Sequence, residues 1–413
     1  MENTNGTTGL NASKMLLLGI QHVFAMFGAT VLVPALTGLD PAVALFTAGV
    51  GTLIFHVINR GKVPVFLGSS FAFILAINAV VNSQGIAYAG GGIIVAGLLY
   101  VALAVLVMIF GADRIRSFFP PLVTGPMIMV IGLHLGAGMI ESNIMMSSVA
   151  DAPGTLWQRL LVALVVVLTM IIVSLFVKGF FKLVPILFGI IAGYLVSVAF
   201  GFVDFAPIKE ASMFSIPSFV LPKFSWDAIL LIGPIAIVTF MEHIGDITTI
   251  GAVTGKDYFK DPGLHRTLIG DGIATAFAGC LGGPANTTYS ENTGVIAVTK
   301  VANSRVVQIA AIIAILMSLV GKLGVAISTI PAPVMGGVSI LLFGIIASVG
   351  LRTIAEADID FSLSRNIIIV ALMLVIGLSD IQIPIGSEEA AFSSLSIAAI
   401  IGVVLNKILP KDV

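Results

Sequence analysis

Charge is what this sequence has least of. Only 10% of its 413 residues are Asp, Glu, Lys or Arg, while 58% are hydrophobic and the mean hydropathy is +1.13. Soluble domains carry about 25% charged residues, so the deficit excludes a soluble fold and makes the chain a polytopic membrane protein. The net charge of -1 points to no partner. The single cysteine, Cys280, excludes an intramolecular disulfide and leaves the compartment open; it reads as a small buried apolar residue. There is no P-loop, no HExxH and no cysteine-based metal spacing, so an ATP-driven pump or a metalloenzyme lacks its machinery. The scattered methionines read as core filler and imply no metal. Met1–Ser13 lacks the basic stretch of a cleaved signal peptide, so the first apolar run is expected to be retained.

What is present is a series of apolar runs, each close to the ~20 residues that cross a bilayer. They fall near 15–35, 41–58, 65–82, 91–112, 119–139, 157–177, 183–203, 227–252, 266–283, 285–300, 305–327, 331–351, 366–383 and 391–408. That makes fourteen expected spans. With both termini cytoplasmic, sixteen Lys and Arg fall inside, from Lys14 through Arg116 to Lys411. Only Arg159, Lys209 and Lys223 fall outside, and Lys322 lies in or near a span. Positive charge is retained on the cytoplasmic side, so the bias supports the count. The external Asp204–Trp226 loop is rich in Pro and Phe and reads as an ordered lid or spacer.

The third and tenth spans are the weak ones. Pro64-Val65-Phe66-Leu67-Gly68-Ser69-Ser70 and Gly282-Gly283-Pro284-Ala285-Asn286-Thr287-Thr288 are poor helix starts, and each runs on into an apolar helical stretch. They sit at similar distances from the starts of the first and eighth spans. Seven spans per half is odd, so the halves must be inverted. Paired interrupted segments in an inverted repeat mark a carrier's midplane site, because extended backbone at that depth is tolerated only beside a cavity.

Acids gather at the same place. Glu242 and Asp246 are four apart and share a helix face, and two carboxylates so close in a low dielectric cannot both ionise cheaply. Such a pair is expected to take up and release a proton; the plainer reading is a carboxyl bonded to a neighbouring helix. His243 need not face the same way. Glu291 stands where a half-helix begins, so it could simply cap that helix. However, Asn286, Thr287, Thr288, Tyr289, Ser290 and Asn292 crowd the same point and suit a small, flat, polar ligand. Asp271 reads equally as a packing partner or part of a proton route. His22 reads as an interhelical partner, and His56, His134 and His265 as peripheral.

Gln21–Thr30, Gly68–Phe73, Glu242–Asp246, Asp261–Arg266 and Asn286–Asn292, in that order, closely resemble the nucleobase:cation symporter-2, or nucleobase/ascorbate transporter, family, and most closely its bacterial uracil permease branch. The resemblance spans almost the whole chain. It implies an all-α polytopic membrane fold of fourteen segments in two inverted seven-segment repeats, with short antiparallel strands in segments 3 and 10. It implies a core domain from 14–117 and 225–328 and a gate domain from 118–205 and 329–410. It implies uracil import by proton symport, with core moving against gate to alternate access. No cofactor is expected, and the coupling ion is a proton in preference to sodium. The expected setting is the cell membrane, with a homodimer formed through the gate.

By the same resemblance, Glu242 and Glu291 hydrogen-bond the pyrimidine, and backbone at Phe71, Ala72 and Ser290 reaches it. The rings of Phe71 and Tyr289 pack on its faces and Phe343 approaches from the gate. Glu242, His243, Asp246, Asp271 and Asn292 are expected to handle the proton. Three departures stand out. Asp246 occupies a position where some uracil carriers have histidine and purine carriers have aspartate. Phe343 lacks the hydroxyl of a gate tyrosine, and Ser290 replaces a frequent glycine. The rivals are a purine or xanthine symporter, an anion carrier, a channel and an intramembrane aspartyl protease. An anion carrier wants a basic residue at the strands, where none stands. A channel wants rings of like residues, and neither Asp246 nor Asp271 sits in a GxGD motif.

Overall fold

The computed structural model describes residues 11–111, 114, 117–146, 153–379, 381, 383–385, 387–392 and 394–410. Most of the N-terminal segment, Arg116 and Lys411 therefore lie outside the described residues. Turn chemistry fixes the first elements. Helix α1 (Ala12–Thr37) starts where Asn11 accepts the Lys14 amide and stops at Gly38, whose φ of 70° favours glycine. Asp40 then caps α2 (Pro41–Ile58), accepting the Ala42 amide at 2.7 Å with Pro41 in the first turn. A three-residue strand, β1 (Leu67–Ser69), leads through a single 3-10 turn at Phe71–Phe73 into the short α3 (Ile74–Ser83). Four apolar helices follow: α4 (Ile86–Phe110), α5 (Pro121–Ile140), α6 (Leu156–Phe176) and α7 (Pro185–Ala199).

The second half repeats this plan. After the short α8 (Ala206–Glu210) come α9 (Trp226–Ile232) and α10 (Ile235–Thr254), separated at Gly233-Pro234, then α11 (Leu264–Cys280). Strand β2 (Asn286–Thr288) leads into the half-length α12 (Ser290–Thr299), as β1 leads into α3. Helices α13 (Ser304–Ser318), α14 (Gly321–Ser328), α15 (Ala332–Ala355) and α16 (Ser364–Leu378), a hairpin of β3 (Ile383–Ile385) and β4 (Ser387–Phe392), and α17 (Ser394–Ile408) complete the chain. Among the described residues seven helical stretches are long and apolar enough to cross a bilayer by themselves, and the remaining apolar helices have 10–17 residues.

Helices from the two halves pack on one another: α4 on α11, α2 on α13, and α5 on α15. Small residues set these contacts. A β-carbon on Gly97 would lie 2.5 Å from the Gly272 carbonyl, and one on Gly350 would lie 2.5 Å from the Gly125 carbonyl. Such backbone proximity is how helices associate where lipid removes any hydrophobic drive between them. Two positions depart from the sequence reading. Cys280 is exposed at the end of α11, because the helix stops there and leaves its last side chain outside the packed face. His56 is not peripheral: it is 2% exposed and its Nε2 meets the Val65 carbonyl at 3.0 Å. The chain doubles back after α2 and lays the approach to β1 over that ring.

Candidate functional site

The two broken segments meet as one antiparallel ladder. Leu67 faces Thr288, Gly68 faces Thr287 and Ser69 faces Asn286, and the Ser70 and Tyr289 amides extend the pairing to Ala285 and Phe66 at 2.8 and 2.9 Å. A two-stranded ribbon inside a bilayer leaves outer backbone groups that cannot go unpaired, and neighbouring side chains satisfy them. Thr52 Oγ1 accepts the Leu67 amide at 2.9 Å, and Thr275 donates to the Asn286 carbonyl at 2.8 Å. Asn286 Nδ2 reaches the Thr47 carbonyl at 3.1 Å. Gly68 is obligatory, since a β-carbon there would stand 2.3 Å from the Tyr289 ring.

Beyond the strands, α3 and α12 begin, and their first-turn amides have no partners within their own helices. Phe71 and Ala72 occupy the first of these starts, both nearly buried. Ser290, exposed, and Glu291, half-buried, occupy the second. Helix α10 runs past the crossing and presents Glu242 and Asp246. Asp246 is held at both oxygens: Thr288 Oγ1 donates to Oδ2 at 2.7 Å and Ser290 Oγ to Oδ1 at 2.6 Å. The Glu242 carboxyl lies within electrostatic reach of Asp246, Glu291 and Asp271. No atom lies within 4 Å of where a side chain at Gly245 would begin, so this face of α10 borders open space. Phe343 on α15 closes against Phe71, ring edge to ring face, with centroids 5.9 Å apart at 87°.

The remaining expected residues point elsewhere. His243 is fully buried behind Glu242, with Nδ1 2.7 Å from Asp271 Oδ2 and Nε2 2.9 Å from Thr267 Oγ1. Thr267 already donates its hydroxyl hydrogen to the Leu264 carbonyl at 2.9 Å, so it can only accept from Nε2. That assigns the hydrogen to Nε2 and leaves His243 Nδ1 and the Asp271 carboxyl side by side as a buried close pair. Asn292 turns toward α1, where its Nδ2 meets His22 Nδ1 at 3.0 Å and the His22 carbonyl at 3.1 Å. His22 is thus the interhelical partner its position suggests. The Tyr289 hydroxyl donates to the Ser69 carbonyl at 2.9 Å, and its ring covers Gly68. Thr267 was not singled out from the sequence. Its spacing of four from Asp271 puts both on one face of α11, the only signal available.

A ribbon closed by two half-helices, with acids aimed at the crossing, defines a carrier of the inverted-repeat class. The transmembrane domain of a cyanobacterium bicarbonate transporter, BicA, shares the fold with a TM-score of 0.62 at 15% identity, over 97% of this chain and 98% of that one. The sequence signature of the Permease family, which covers xanthine and uracil permeases, matches residues 13–386. A probable uracil permease of Haemophilus influenzae is 44% identical over 398 residues, covering 96% of this chain and 95% of its own length. A uracil permease of Bacillus caldolyticus is 44% identical over 405 residues, covering 96% and 92%. The chain belongs to the nucleobase:cation symporter-2 family of permeases and is a multi-pass membrane transporter, not an enzyme.

Proposed function

We propose that this permease carries uracil into the cell together with a proton. The observation that carries the reading is the convergence of Glu242 and Glu291 on one crossing point, each beside the start of a half-helix. Uracil has two N–H donors and two carbonyl acceptors round a flat ring. Carboxylates accept from the N–H groups, half-helix amides donate to the carbonyls, and Phe71 offers an aromatic face. A buried carboxylate deprived of its donor costs a few kcal/mol, which selects ligands with the right N–H pattern. The relatives' names support the same substrate.

Proton coupling belongs to the acids on α10 and α11. Glu242 faces the ligand, Asp246 is fixed by Thr288 and Ser290, and the buried His243–Asp271 pair lies behind. In this reading, protonation beside Glu242 and base binding favour one another. The unit of α1–α4 with α9–α14 then moves as a core against a gate of α5–α7 with α15–α17, within fourteen crossings and with both termini cytoplasmic. We take the working form as a homodimer through the gate. The outward row Leu161, Leu164, Leu168, Ile172 and Leu175 on α6 offers a surface for lipid or a partner. A purine or xanthine symporter is the second reading, favoured by an aspartate at 246 and opposed by a glutamate at 291. Uptake of radiolabelled uracil into proteoliposomes, with and without an inward proton gradient and with unlabelled uracil, xanthine and sulfate as competitors, provides the test. Uracil flux indifferent to the gradient removes symport, and stronger competition by xanthine than by uracil installs the second reading.

A further inference from the structure

A cavity of about 780 Å³ lies away from the acid cluster, at an end of the molecule where basic residues collect. Three loops frame it: the one after α2, the one joining α10 to α11, and the turn into α13. They bring Arg60, Lys62, Lys256 and Arg305 round a single opening, all four exposed. Asp261 is the only carboxylate on the described wall, and it is already ion-paired with Lys62. Among the described residues the side chains of Arg60, Lys256 and Arg305 make no ion pair.

Helix electrostatics explains two of these three cations. Arg60 follows the C-terminus of α2 and Lys256 that of α10, where positive charge is favoured. Helix electrostatics disfavours Arg305 and leaves only the general bias of positive charge toward its side of the membrane. This arginine is the second residue of α13, a 15-residue helix with no acid in its first turn, and that end of a helix already carries partial positive charge. The helix start opens onto the cavity beside three further cations, with Asn303 capping the Arg305 amide at 2.9 Å. The cavity wall also includes Tyr258, 2% exposed, whose hydroxyl lies beside Thr254 without a well-formed hydrogen bond.

We propose that this cavity binds a phosphate-bearing anion, held by Arg60, Lys256 and Arg305 and by the N-terminus of α13. Guanidinium forks match phosphate oxygens two at a time, and a helix start adds partial positive charge. The volume falls in the usual range for small-molecule sites, roughly 300–1,000 Å³, so a phosphomonoester with a sugar or glycerol attached would fit. The phosphate can belong to a soluble metabolite or to a lipid headgroup. The site joins the ends of α2, α10 and α13, so a bound anion would tie the α10 helix bearing Glu242 to its neighbours. The proposal stands whether or not uracil is the cargo.

The test uses the full chain in nanodiscs, with inorganic pyrophosphate titrated calorimetrically in phosphatidylcholine discs and again in phosphatidylglycerol discs. Saturable binding is expected in phosphatidylcholine. It should weaken at least tenfold in Arg305→Ala and in Arg60→Ala and be unchanged in Lys178→Ala, whose cation lies outside the cavity. If the phosphate is a headgroup, pyrophosphate affinity drops in phosphatidylglycerol discs, and Arg305→Ala retains less phosphatidylglycerol on purification than the wild type. All substituted residues are exposed, and an unchanged melting temperature confirms that each variant is folded. Wild-type pyrophosphate affinity in Arg305→Ala overturns the proposal. So does the absence of saturable binding together with no phosphatidylglycerol enrichment.

Discussion

The two broken segments share a backbone plan and divide the chemistry. Each enters as a three-residue strand, pairs with the other, and turns into a ten-residue helix. The first delivers Phe71, Ala72 and Phe73 to the crossing, all apolar; the second delivers Ser290 and Glu291. Pseudo-symmetry therefore places two helix starts at one point, and side-chain asymmetry decides what each does there. One half supplies a surface to stack on. The other supplies acceptors and the hydroxyls that fix Asp246. A symmetric pair of acidic half-helices would repel at the crossing, and a symmetric apolar pair would have nothing to recognise.

The comparison can be broken from either side. The largest effect is expected from Glu291→Gln, which removes the carboxylate of the polar half. Uracil binding should fall by at least about a hundredfold, near 3 kcal/mol, in equilibrium binding to purified protein; wild-type affinity there would reject the site. Next is Gly68→Ala. Its β-carbon has no room against the Tyr289 ring, and such overpacking typically costs about 1–3 kcal/mol. A melting temperature lowered by several degrees is expected, and an unchanged one would mean the ribbon can open. Phe71→Ala tests the apolar half. The loss of stacking and area should weaken uracil binding about tenfold while leaving the response to a proton gradient intact. The smallest effect is Thr288→Val, which removes the donor at 2.7 Å from Asp246. A loss of about 1 kcal/mol is expected, seen as a slower proton-driven uptake with uracil affinity within twofold of wild type.

Much of this plan was legible beforehand. Gly and Pro at 64, 68, 282, 283 and 284 cannot sit comfortably in a membrane helix, and both interruptions proved to be strands paired in the expected antiparallel sense. The acids stood out, with the amides and hydroxyls around Glu291, because most of the chain is apolar. Side-chain direction was less legible. Asn292 follows Glu291 in the chain, yet it serves His22 on α1, because a helix turns about 100° per residue. His56 resembled a helix-end histidine, and only the path of the chain after α2 buries it. Cys280 read as core from its composition, and the stop of α11 one residue later exposes it.

The sequence by itself determined that this chain lives in a bilayer, that two of its spans are interrupted, and that carboxylates sit beside those interruptions. These follow from local quantities: hydropathy, turn propensity, and the cost of a charge in hydrocarbon. The tertiary structure decided which groups meet. Thr267 finds His243, Thr288 finds Asp246, and Arg305 joins Arg60 and Lys256 round one opening. Those partners are separated by between 24 and 245 positions in the chain. His243 meets Thr267 and Asp246 meets Thr288 through the folding of the second half alone, whereas Arg60 joins Lys256 and Arg305 because the two halves pack on one another, α2 against α13.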